Sequence, residues 1–120
     1  AIYAGKIAGI GKYSDAKTHF DAEGRALIPG MIDGHIHIED TMMTPANFAN
    51  IAAIHGTSAV MADPHEISNA LGVNGLKYMF AASQSLPIDI FFGAPSCVPA
   101  SEFETPYQEL DMNSIKNFCI

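Results

Sequence analysis

Positive charge is scarce in this sequence: six Lys and Arg stand against 13 Asp and Glu, a net charge of −7. Proteins that grip nucleic-acid backbones do so with basic patches that displace counterions. Here the cationic residues are scattered, which argues against nucleic acid as a partner, and the acidic stretch from Glu102 to Asp111 reads as a solvated loop or helix face. Cysteine is also rare. Cys97 and Cys119 have no CxxC spacing and give no disulfide framework, so a reducing compartment is expected. Cys97, in a Ser-Cys-Val-Pro loop, either lines a pocket or, as is commoner for a lone cysteine, is a small buried apolar residue. No apolar run approaches the roughly 20 residues that cross a bilayer, and there is no low-complexity tract. At 48% apolar and 16% charged residues, the composition is that of a soluble globular protein.

What is present is concentrated in Pro29-Gly-Met-Ile-Asp-Gly-His-Ile-His-Ile-Glu39. In an extended strand alternate side chains share a face, so His35, His37 and Glu39 point one way and Ile36 and Ile38 the other. Neutral imidazoles are common ligands for zinc, iron and manganese, and a neighbouring carboxylate suits the harder of these ions. The plainer alternative is two ordinary histidines on a half-buried strand. The surroundings favour a metal site. A Pro29-Gly30 turn leads in, and Thr44 and Pro45 open a helix soon after, as N-cap and first helical residue. Turn, strand, ligands, loop and helix come in the order of a parallel (β/α)8 barrel, whose reactive groups sit at the carboxyl ends of strands. Asp40, one residue past Glu39, faces the other way and is expected in the loop.

A second cluster follows the same logic. Thr57 to Ala62 reads as a strand ending in Asp63-Pro64-His65-Glu66, because Pro64 cannot donate to a sheet and biases Asp63 away from helix. The corner is either a second set of metal-facing or substrate-facing residues or a polar turn capped by Asp63. Around these sites the expected map is strand-turn-strand over Ile2 to Ile10 with Gly5 at the turn, and a short strand from Arg25 to Ile28. A helix follows from about Pro45 to Ile54, with Phe48, Ile51, Ala52 and His55 on one face. Next come a loop through Gly72 and Asn74-Gly75, a helix to about Ser85 packed through Tyr78, Met79 and Phe80, and a strand from Ile88 to Gly93. Glu104 to Asn117 reads as a loop followed by a helix. His55 is expected in the last helical turn near the carbonyl end of the dipole, and His19 at the surface.

The His35-Ile-His37 strand resembles the first barrel strand of the amidohydrolase superfamily. With Asp63-Pro-His-Glu66 and Pro95-Ser-Cys-Val-Pro99, the chain is most similar to the adenine deaminases within it. The resemblance implies an α/β fold: the first βα units of a TIM-like (β/α)8 metal-dependent hydrolase barrel, preceded by strands of a small β-sandwich. Residues 1–28 would be the partial sandwich segment and residues 29–120 about three βα units of the barrel. A whole barrel typically needs about 250 residues, and this chain of 120 starts without Met and stops at Asn117-Phe-Cys-Ile120, so a piece of a longer protein is expected, inactive by itself.

The implied activity is hydrolysis of adenine to hypoxanthine and ammonia in purine salvage by a metal-activated hydroxide. His35 and His37 would be metal ligands. Glu39, Asp63, His65 and Glu66 would be catalytic, through contacts to the ligands, the substrate or a second ion. The implied cofactor is a divalent metal, manganese or iron first and zinc next. The implied partner is adenine, with no nucleic acid or membrane, and the full-length protein would be a cytoplasmic homo-oligomer. Two alternatives remain. One is an amidohydrolase acting on a cyclic or acetyl amide, of the dihydroorotase, hydantoinase or N-acetylglucosamine-6-phosphate deacetylase type. The other is a non-catalytic structural remnant.

Overall fold

A computed structural model describes residues 1–118; Cys119 lies outside the described residues. Strands β1 (Ile2–Tyr3) and β2 (Lys6–Ile7) pair antiparallel, with Ile2 opposite Ile7 and Tyr3 opposite Lys6. Ala4 and Gly5 join them, both at positive φ (48° and 74°), the conformation that two-residue hairpins need to match strand twist. The turn expected at Gly5 is therefore present. The strand expected over Arg25 to Ile28 is absent: these residues are exposed coil after a turn closed by the Arg25 N–H donating to the Ala22 carbonyl. No neighbouring strand offers them a ladder.

The remainder is built on a three-stranded parallel sheet in the order β3 (Met31–Ile36), β4 (Thr57–Ala62), β5 (Asp89–Phe92). Parallel neighbours need a crossover, and helices supply it. Between β3 and β4 lies α1 (Pro45–Ile54), where Thr44 accepts from the Asn47 N–H as N-cap, Pro45 opens the helix and His55 closes it. Of the stripe expected on α1, Phe48 and Ala52 pack against the core, but Ile51 and His55 do not. Pro45 and Ala49 are its buried residues, with Phe48, Ala52 and Ala53 half-buried, whereas Ile51 and His55 are exposed. A small residue lets the helix approach the sheet closely, so Ala49 takes the central position against Val60 and Ile88.

Between β4 and β5 the chain forms two helices, α2 (His65–Leu71) and α3 (Val73–Ala82), hinged at Gly72. The loop expected through Gly72 and Asn74-Gly75 is thus helical on either side of one hinge residue. Gly75 is needed where α2 and α3 cross, because a Cβ there would lie 2.6 Å from the Ile67 carbonyl oxygen. On α3, Leu76 and Met79 are buried at 2% exposure, while Tyr78 and Phe80 are half exposed. Of the three side chains expected to pack this helix, only Met79 is buried.

The core has two adjoining parts, one of Ile38, Ala62 and Met79 and one of Ala49, Val60 and Ile88. Both lie between the sheet and its helices. Burying side chains of this kind stabilises by roughly 1.5–3 kcal/mol each. Beyond β5 a loop that buries Pro95 and Val98 leads to α4 (Met112–Phe118). Asp111 accepts from the backbone N–H and hydroxyl of Ser114, which holds its carboxyl below the usual range. Cys97 is half-buried beside the Ser96 hydroxyl, and His19 is exposed as expected. Among the described residues, no helix is long and apolar enough to cross a membrane.

Candidate metal centre

The chemistry-bearing residues gather where β3 and β4 end. The two strands pair up to Ile36 opposite Ala62, and the Asp63 N–H donates to the Ile36 carbonyl just beyond, so both chains leave the sheet side by side. His35 is the last residue but one of β3, and its backbone N–H donates to the Asp33 carboxylate. His37 follows immediately. Their Nε2 atoms stand 2.9 Å apart with the rings edge to face.

On the second strand the turn at Pro64 sends Asp63 towards this pair and starts α2, so His65 and Glu66 fall in its first turn. The Glu66 carboxylate then connects two histidines. One oxygen lies 3.1 Å from His37 Nδ1 and the other 3.0 Å from His65 Nε2, while His65 Nδ1 is 3.4 Å from Asp63 Oδ2. Five of the six residues singled out in the sequence are therefore in one network.

Burial draws His37 towards its neutral form, but the facing charge and hydrogen bond of Glu66, with Asp63 beyond, raise its pKa above the ordinary value. Two groups of donor atoms converge within 4.8 Å of one another: His35, His37 and Asp63, and His37, His65 and Glu66. These groups fit a divalent cation. An ion bound by imidazole at about 2.0–2.1 Å holds neighbouring ligand atoms about 3 Å apart, as the two Nε2 atoms are. Asp63 Oδ1 is buried without a hydrogen-bond partner, a costly state for a carboxylate oxygen that a cation relieves.

Glu39 departs from expectation. The sheet geometry stops at Ile36, and Ile38–Thr41 coil into a short 3-10 turn anchored by fully buried Ile38. Glu39 belongs to neither convergent group, although its carboxylate stays close enough to His37 and Glu66 to feel their charge. Its Oε1 accepts from the Ile67 N–H at 3.3 Å, and Oε2 is buried without a partner. Burial raises its pKa above the usual carboxyl value, against the lowering by its own and Ile67's backbone N–H groups. Asp40, expected in the loop, lies exposed on the same 3-10 turn.

Sequence reasoning missed Ser68. It is fully buried, and its hydroxyl donates to the Pro64 carbonyl at 2.6 Å, tying the corner to the helix that follows. A serine four residues after Pro64 signals this bond only once the segment is known to be helical.

The Amidohydrolase family pattern matches residues 26–117. Similar proteins include "Adenine deaminase" of Syntrophobacter fumaroxidans, 53% identical over 105 residues, covering 88% of this chain and 18% of that protein. That of Desulfatibacillum aliphaticivorans is 47% identical over 118 residues, covering 98% of this chain and 21% of the other. That of Geobacillus kaustophilus is 50% identical over 104 residues, covering 87% and 18%. The chain spans about a fifth of the length of these relatives. The family match contains every residue of the histidine and carboxylate cluster, and on that span the chain belongs to the amidohydrolase family.

Proposed function

We propose that this chain is a part, including the first strands of the barrel, of an enzyme that hydrolyses adenine to hypoxanthine and ammonia in purine salvage. The observation that carries the reading is the convergence of His35, His37 and Asp63 at the strand ends, in a segment about half identical to proteins named adenine deaminase. In this reading residues 29–120 form the first βα units of a (β/α)8 barrel. Residues 1–28 belong to a small β-sandwich completed by chain beyond this segment. The full-length protein is a cytoplasmic homo-oligomer.

His35 and His37, whose Nε2 atoms face each other, would hold a divalent ion together with the carboxylate of Asp63. Two imidazoles with a carboxylate suit manganese or iron, and also zinc. When bound, the ion makes hydroxide available at neutral pH and fixes the geometry of attack. Glu66 accepts the Nδ1 proton of His37, which sets the tautomer and leaves the Nε2 lone pair facing His35. The reaction adds the oxygen of water at C6 of adenine and breaks the bond to the exocyclic NH2, which takes one of the water's protons and departs as ammonia while the other proton stays on the ring amide of hypoxanthine. A proton must be carried to the ring and the leaving group. Asp63 and His65, half-buried and in contact, are placed to carry it.

The test is metal analysis and an adenine-to-hypoxanthine assay on the full-length protein, with His35→Ala and His37→Ala. Both variants are expected to lose metal and turnover together, by more than the about 10–100-fold that partners of ligands carry. Metal without adenine turnover overturns the substrate, in favour of a cyclic or acetyl amide. A wild-type protein that binds no metal overturns the enzyme reading. The isolated 120 residues are expected to be inactive.

A further inference from the structure

Helix α2 carries His65 and Glu66, yet it begins without a cap of its own. Its N-cap position is Pro64, which makes no side-chain hydrogen bond. The first N–H groups of a helix have no partner within it. One of them, on Ile67 at the third helical position, is met from 28 residues away by Glu39 Oε1. Glu39 sits on the 3-10 turn directly after the histidines, and fully buried Ile38 fixes that turn to the core. A carboxylate at this end of a helix also faces the positive pole of the peptide dipoles. From within the helix, Ser68 ties back to the Pro64 carbonyl. The contact of Glu66 with His37, 29 residues away on the other strand end, depends on where α2 starts and how it is angled.

We infer that Glu39 is a positioning residue: its carboxylate caps α2 from the turn after the histidine strand and thereby holds Glu66 against His37. This rests on the proposed metal centre, to which Glu39 contributes through α2 and not as a ligand.

Three variants of the full-length, metal-loaded protein test it. Glu39→Gln keeps an oxygen at the same reach without charge, Glu39→Asp keeps the charge but is one methylene short, and Glu39→Ala removes both. Amide hydrogen exchange over residues 65–68, metal retention against a chelator, and kcat with KM are measured for each. The expected order is wild type, then Gln within about threefold, then Asp and Ala with faster exchange and about 10–100-fold weaker metal retention. The reverse order, with Asp close to wild type and Gln as damaged as Ala, assigns Glu39 to charge, as a ligand or proton carrier, and overturns the inference. Should the wild-type protein hold no metal, the metal-centre reading falls by itself. Unchanged exchange in Glu39→Asp and Glu39→Ala would then sink the cap separately.

Discussion

The hairpin β1–β2 leaves Ile2, Tyr3 and Ile7 at 74–80% exposure, whereas β4 buries Val60 and Ala62 to 1% and 0%. Both segments are strands rich in apolar side chains. The difference lies in how each is closed. A hairpin closes through its own turn and brings no layer to cover its faces. A parallel pair cannot close without a crossover, and the crossover helix is the covering layer. Between β3 and β5 every crossover is present, and the core forms within the chain. In residues 1–30 the apolar side chains of Ile10, Phe20, Leu27 and Ile28 stay at 71–96% exposure. Their cover, in the proposed reading, comes from chain beyond this segment.

The largest effect that sharpens this contrast is expected from Leu76→Ala. Leu76 is buried at 2% on α3, and the change should cost the full-length protein about 2–5 kcal/mol in urea denaturation. Ile7→Ser probes the other region. If the hairpin is covered in the full-length protein, it should cost about 1.5–3 kcal/mol; a cost below about 0.5 kcal/mol, usual for open surface positions, shows that the two regions differ in the whole protein as well.

Glu66→Ala should weaken metal binding by about 10–100-fold, because His37 loses the acceptor that orients it; isothermal titration with manganese reads this. Unaltered affinity would detach α2 from the metal centre. The smallest effect is in pH. His37 and Glu39 both have folded-state pKa values raised above their ordinary 6.5 and 4.5, so the folded state binds more protons than the unfolded one. Their contribution to stability is full below those ordinary values and is lost as pH rises through the raised ones. Chelator-treated protein should therefore show a urea midpoint that declines from about pH 5 to 8, and the decline should flatten in Glu66→Ala.

How much of this was legible in the residues follows from the range of the interactions. The β1–β2 turn, the Thr44 cap with Pro45, the close of α1 at His55 and the full extent of β4 rest on neighbouring side chains and matched expectation. The meeting of His35 and His37 was legible because strand alternation alone makes it. Helix α2 was not: after Pro64, the Gly72 and Asn74-Gly75 signals read as loop, and the group that caps the helix lies 28 residues back. The strand over Arg25 to Ile28 failed for the converse reason, since local propensity formed no ladder without a neighbour.

By itself the sequence determined the three sheet strands with the helices α1 and α3 that cross between them, the placement of two imidazoles on one point, and a polar corner at the end of the following strand. These depend on periodicity and on proline and glycine chemistry, which act over a few residues. Only the tertiary structure decided that Glu66 faces His37, that Ser68 ties down the corner, and that Glu39 reaches the Ile67 N–H at the start of α2. Glu39 and Glu66 act across 28 and 29 residues of chain, and Ser68's bond to Pro64 exists only because α2 is helical. Their geometry is set by the parallel pairing of β3 and β4, which brings two strand ends together.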